Sequence, residues 1–413
     1  MRVVFALVLA LVVAVAACGG SERASDPAPI SPARPSLLAY VWGADPHLAW
    51  LDALTLRERG PAVDVREPTP SAWARSPGGA RLAVGEGGRL TFVDPRRMRR
   101  LATLDLGAKG SVAGLAWPSP RRVIAALSGL EVEIVVVDPA AGRVVRRREL
   151  PGTVTRSVRS PDGLVLLLSP RDRIGPARLA VATPESVRTA SLSVKAGADP
   201  PSLLEPGVAV APDGRRALVT AGGAVVHEVD LGTLRSAERR LSERVSLLGR
   251  LRDWLEPTAS AKGPLDGPVR SATWTAGGGI VVSGWDYLMT GERTMVSEAA
   301  GVRLIDVGTW SVRTLAENAS AAVVAGDTIL AFGGTNGPGG PRGIGLRAFD
   351  REGRERFHVF GDRHVGAVSA VGRYAYVFEQ AEAEMQVEIV DLHRGRVLPT
   401  VRRSPYMEVL QLD

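Results

Sequence analysis

The sequence predicts an all-β chain that closes into a β-propeller of eight blades, with seven as the alternative count, carrying one inserted helix and an N-terminal lipoprotein signal and tether. Three observations predict it. An apolar run ending on Asp recurs at a nearly fixed interval, each such Asp sits between two kinds of turn signal, and the chain starts with an apolar segment that ends on its only Cys. Gly 46 and Pro 29 in 413 residues favour many turns over long helices. At 45% apolar and 23% charged the chain is neither a disordered polymer nor a multi-span membrane protein.

The first element is the export signal, residues 1–17. Arg2 gives a positive start, Val3 to Ala17 is unbroken apolar chain, and Val15-Ala16-Ala17 leads into Cys18. The apolar run is short for a membrane span. This segment resembles the lipobox of bacterial lipoproteins, which implies that Cys18 is acylated, with palmitate among the candidate chains, and becomes the mature N-terminus. Residues 18–36 follow as a lipidated Cys and Pro-rich tether without periodicity. The expected address is the cell envelope, lipid-anchored to a membrane and outside the cytoplasm. A formal charge of +7, with 48 Arg against three Lys, then reads as an Arg-rich surface facing anionic lipid or envelope polymer, and nucleic acid is excluded as a partner by location. One Cys excludes a disulfide framework and Cys-based metal sites.

The repeat spans residues 37–412. The run-closing positions are Asp52, Asp94, Asp138, Thr183 in place of Asp, Asp230, Asp306, Asp350 and Asp391, at spacings of 42, 44, 45, 47, 76, 44 and 41. The long interval holds one ordinary unit plus an insertion. An Asp side chain bonds backbone N–H groups two or three residues on, and the Gly that follows (Gly142, Gly395) tolerates positive φ, so each Asp marks a hairpin turn. A second turn signal precedes it, as in Ser76-Pro-Gly-Gly79, Ser160-Pro-Asp-Gly163 and Ala211-Pro-Asp-Gly214. Each unit therefore reads as four short antiparallel strands, the blade period of a propeller. The repeats resemble the WD40-like, YVTN and TolB-like propellers of bacterial envelopes. The Trp-Asp and Gly-His dipeptides of true WD40 repeats are absent at the expected places, which leaves the subfamily open.

The N-terminal unit has only three strands, and the segment 405–412 has no unit of its own. Pairing the two closes the ring and removes two exposed edges. Alternation assigns Leu82, Val84, Ile134, Val136, Val165, Leu167, Val281, Val377 and Val387 to the cores between sheets. Trp73, Trp117 and Trp274 are assigned to packing between blades rather than to a stacking platform in the channel.

Candidate ligand contacts follow from the insertions, which fall on the face of the longer loops. Residues 241–267 form the helical insertion, with Leu247, Leu248, Leu251, Trp254 and Leu255 on one stripe. Beside it lie the loops 284–293 and 333–342, together with Glu379, Glu382 and Glu384. The expected cleft is lined by Trp254, Trp285, Asp286, Tyr287, Arg293 and Arg342. No catalytic constellation, nucleophile elbow or phosphate loop occurs. His358, Asp362 and His364 match no standard metal pattern, so no metal and no cofactor are expected. The expected function is that of a non-enzymatic binding or scaffold lipoprotein, a monomer that engages a protein, peptide or envelope glycan. The alternatives are a propeller enzyme (a quinone-dependent dehydrogenase, a lactonase or a glycan-active enzyme, with Asp286 and a later carboxylate as acid and base) or a lipid-surface sensor.

Overall fold

A turn that bonds its own backbone forces the strands on either side to pair, and this chain repeats such turns along its length. The computed structural model describes residues 35–42, 45–66, 68–107, 110–199, 202–222, 224–243, 267–290, 294–337, 340–381, 384–399, 402–404 and 407–410. Cys18 with the signal and tether, Trp254 and Arg293 lie outside the described residues.

Among the described residues the strands form eight hydrogen-bonded sheets. Seven are built from contiguous stretches, termed blades A to G here: residues 68–105, 111–150, 153–204, 207–240, 267–316, 321–359 and 367–404. The remaining sheet is composite. Ser36–Val41, His47–Asp52 and Val63–Asp64 come from one end of the chain and Met407–Val409 from the other, with Ala39 opposite Val409 and Val41 opposite Met407.

The expectation of eight blades with one inserted helix is thereby corrected. Seven stretches of chain each make a blade, the alternative count, while the closing sheet is shared between the chain ends. No helix occurs among the described residues. Residues 244–266, the bulk of the expected helical insertion, lie outside them. Where that segment starts, the chain is extended: Ser242–Glu243 runs parallel to Ser311–Ala316, and the Ser242 N–H donates to the Trp310 carbonyl at 2.9 Å. Blade E also departs from four strands. Its second strand runs on to Thr290, and Thr294–Ala299 and the hairpin of Gly334–Gly337 with Gly340–Gly343 join the same sheet.

Packing follows the alternation. Every residue assigned above to the cores is buried, from Leu82 to Val387. Each apolar cluster is shared by neighbouring sheets, so that blades A and B meet through Phe92, Leu115 and Leu127 and blades F and G through Leu330, Leu346 and Val377. The series returns to its start. Tyr376 of blade G packs with Leu51 and Met407, and Leu38 and Leu410 pack with Trp73 and Leu82 of blade A. Trp73 and Trp117 are both 7% exposed within such clusters, and Trp274 packs against the cluster between blades D and E.

The connections sort onto two faces, because antiparallel strands alternate direction. One face carries the tight turns. There Asp52, Asp94, Asp138 and Asp306 each accept N–H groups two and three residues on, at 2.8–3.1 Å, and Asp391 does so at 3.1 and 3.2 Å. Thr183 fills the same place with its hydroxyl, which accepts from the Ser186 N–H at 3.1 Å. The other face carries the additions to blades C, E, F and G.

Candidate functional site

Gly284 is where blade E becomes something else. Its φ is +151°, and a Cβ there would fall 2.0 Å from the Val269 carbonyl oxygen, so only glycine lets the strand turn outward. Beyond it, Trp285, Asp286 and Tyr287 lie opposite Ala299, Glu298 and Ser297, and Ser297 lies opposite Asn336 of the added hairpin. The Ala299 N–H donates to Thr335 Oγ1 at 3.3 Å. The expected loops at 284–293 and 333–342 are thus mostly strand, and together they project a small sheet above the ring.

Strand alternation divides the candidates. Trp285 and Tyr287 share one side of the projecting strand, ring centroids 6.1 Å apart and nearly perpendicular. Asp286 points to the other side, into a cavity of about 280 Å³ between blades D and E that also has Thr220, Arg270 and Arg303 in its wall. Arg342, exposed, sits on the hairpin opposite Thr335. The structure therefore brings Trp285 together with Tyr287 and separates both from Asp286.

Arg270, which the sequence reading missed, organises the cavity. Its guanidinium is 11% exposed and donates to Asp286 at 2.7 Å and to the Trp285 carbonyl at 2.8 Å. The neighbouring contacts extend inward. The Arg270 N–H donates to the Glu205 carbonyl at 2.8 Å, the Glu205 carboxylate meets Arg156 at 2.8 Å, and Arg156 donates to the Arg270 carbonyl at 3.1 Å. A chain of alternating charges thus ties the inner strands of blades C and E to the projecting sheet. Nothing in the local sequence marks Arg270 for this role, since its partner lies 16 residues away across the sheet.

Of the carboxylates named by the enzymatic alternative, the two whose contacts the structure describes are each held by an arginine. Asp286 is held by Arg270 in blade E, and Glu379 of blade G is held by Arg363 at 2.8 Å, a guanidinium that also bonds Glu388. Glu382 lies outside the described residues. His358 is engaged by backbone, with Nε2 2.8 Å from the Ile344 carbonyl and 3.1 Å from that of Gly361.

No family profile and no curated protein matches the sequence. Among solved structures, the dihydro-heme d1 dehydrogenase NirN in complex with DHE aligns at a TM-score of 0.59 and 15% identity, over 93% of this chain and 78% of that one. The chain is a β-propeller. BamB from Moraxella catarrhalis aligns at 0.47 and 11% identity over 85% of this chain and 96% of that one. Kuenenia stuttgartiensis hydrazine synthase aligns at 0.45 and 15% identity, over 83% and 97%. At these identities the likeness concerns the fold alone.

Proposed function

We propose that this propeller is a membrane-anchored, extracytoplasmic binding or scaffold protein that engages a protein, peptide or envelope glycan on the face of its additions. The single observation that carries the reading is the projecting sheet of blade E. It is built from two separate insertions, is braced at its root by Arg270, and has a pair of aromatic rings on one side. A rigid ring presenting irregular connections suits recognition, and partly exposed Trp and Tyr suit a contact surface, being large, stiff and amphipathic. The charges at its base are already compensated, which favours holding a shape over performing a proton transfer. The anchor at Cys18 belongs to the same proposal and would keep this face within reach of the envelope.

Immobilised mature protein, exposed to a detergent extract of the envelope, should retain one identifiable component. The double variant Trp285→Ala, Tyr287→Ala should lose it while melting at the wild-type temperature. Equal retention by wild type and variant would overturn the site. Cys18→Ser should release the protein from the membrane fraction, and a Cys18→Ser protein that stays membrane-bound would overturn the anchor.

A further inference from the structure

We propose that the face of tight turns lies on an anionic phospholipid bilayer, with one basic arc of that face against the lipid phosphates. The inference rests on the anchor reading above and says which way the anchored ring stands. It has two independent supports.

The first is where the described chain enters the ring. Ser36 lies opposite Asp52, and the Ala53 N–H donates to the Pro35 carbonyl at 3.0 Å. The entry point is therefore the Asp52 turn, on the face of tight turns. Only sixteen residues separate Pro35 from Cys18.

The second is the distribution of charge. Antiparallel pairing sets both turns of a blade at one level: Leu82 lies opposite Arg75 and Val93 alike, so the turn 76–81 stands beside the one that follows Asp94. In the closing sheet and blades A and B, these turns and the residues flanking them expose Arg57, Arg81, Arg96, Arg97, Arg121 and Arg143. Among the described residues there, Glu58 is the one exposed carboxylate. Asp52, Asp94 and Asp138 are drawn into their own turns by the N–H groups they accept. Blade G, the closing sheet's other neighbour, adds exposed Arg373 and Arg394 and keeps Asp391 buried. Blades D, E and F differ. Their tight turns expose Asp213, Asp230, Asp306, Asp327 and Glu352, which offset Arg215, Arg235, Arg351 and Arg354. The basic arc is thus centred on the point where the chain enters.

Leu54 stands in the same arc, on the Asp52 turn, and is 38% exposed. An apolar side chain among guanidinium groups suits the headgroup boundary, where it enters the acyl region while the arginines meet phosphate. The additions to blades C, E, F and G lie on the opposite face, so the turns present a level surface to the bilayer. The projecting sheet of blade E then points away from the membrane, toward the rest of the envelope.

The test uses a chain that starts at residue 18 and carries Cys18→Ser; it holds every described residue and cannot be acylated. It should sediment with vesicles of phosphatidylglycerol in phosphatidylcholine about tenfold more tightly than with phosphatidylcholine alone. That preference should vanish at about 1 M salt. One arginine near such a surface contributes about fivefold, so Arg96→Gln with Arg121→Gln should weaken binding more than about tenfold. Leu54→Ser should weaken it severalfold. The matched pair on the far arc, Arg215→Gln with Arg351→Gln, should change it less than about twofold. Equal affinity for the two kinds of vesicle overturns the proposal, as does equal loss in the two pairs. So does a protein that ignores both vesicles yet is retained by dextran sulfate, which would assign the arc to a soluble polyanion. Should the Arg96, Arg121 pair fail to melt with the wild type, Arg57→Gln with Arg143→Gln repeats the test. The anchor is read separately: fractionated at high salt, where the arc lets go, the Cys18→Ser protein reports on acylation alone.

Discussion

On the face of tight turns, Asp94, Asp138, Asp306 and Asp391 do one job at the same place in blades A, B, E and G, each accepting backbone N–H groups that would otherwise be left without partners. On the opposite face no two additions are alike: blade C ends in the hairpin of Val187–Asp199 with Ser202–Leu204, blade E extends its second strand, blade F contributes a hairpin to its neighbour's sheet, and blade G prolongs the strand Tyr374–Ala381. The difference teaches that stability and variation are assigned to different faces. A turn closed by a single side chain leaves little room to change, whereas a connection paired strand by strand can lengthen without disturbing the blade beneath.

The arginines mark a third location, the seams between blades. Arg147 of blade B reaches the Leu106 carbonyl beside blade A, Arg188 of blade C bonds the Leu231 carbonyl of blade D at 2.8 Å, and Arg313 of blade E bonds the Glu352 carbonyl of blade F. A planar guanidinium with several N–H groups can serve its own strand and a neighbour's backbone together, which a Lys ammonium on a flexible stem does poorly. Part of the arginine content thus serves these crossings.

The largest effect should come from titrating the regular face as a whole. At Asp52, burial opposes ionisation but the N–H groups of Thr55 and Leu54 and the Arg59 guanidinium outweigh it, holding the carboxyl at about 2. At Asp391 the Arg373 guanidinium acts first, burial opposes, and the N–H groups of Arg394 and His393 add, again giving about 2. Asp138, Asp230 and Asp306 are lowered chiefly by the N–H groups of Ala141, Thr233 and Thr309. Groups whose folded pKa is depressed stabilise fully above their unfolded value near 3.9 and lose that contribution as pH falls through the folded value. The melting temperature should therefore hold down to about pH 5 and drop steeply toward about pH 2. A flat profile would show that the turns do not share the load.

Single substitutions sharpen the contrast between faces. Gly284→Val should cost about 3 kcal/mol in urea unfolding, because the added side chain meets the Val269 carbonyl in a conformation glycine alone tolerates. Asp391→Ala should cost about 2 kcal/mol, since it strips the donors of its turn and the bidentate partner of Arg373. Asp286→Ala, whose carboxylate is 44% exposed, should cost under about 1 kcal/mol. A larger loss there than at Asp391 would invert the assignment of roles. Gly142→Ala meets open space at a φ of +60° and should cost about 1 kcal/mol, for the backbone alone.

What could be read from the sequence tracks the same division. Asp138 and Gly142 declare their turn within five residues, so the strands on either side and their order were legible. The projecting strand was not, because Gly284-Trp-Asp-Tyr-Leu-Met reads as the start of a long loop within its blade. Yet the alternation of Trp285 and Tyr287 around Asp286 carried the signal of a strand, and of the split between rings and carboxylate. Arg270 and the charged groups around it were hidden for another reason. Their members stand in different strands or different blades, and only the curvature of the ring brings them together. Eight blades also proved one too many, since the repeat counts turns and the first of them, at Asp52, belongs to the sheet that the two chain ends share.

The pairing of Met407–Val409 with Ser36–Val41 has a temporal consequence. The first strand of the ring waits for the last one, some 370 residues later in the sequence, before its inner edge is covered. Without residues 407–410 that edge would stay open, and Met407 and Leu410 would be missing from the clusters that hold Tyr376 and Leu38. The ring is thus shut by its most sequence-distant pairing, the contact with the highest loop-closure cost in the fold.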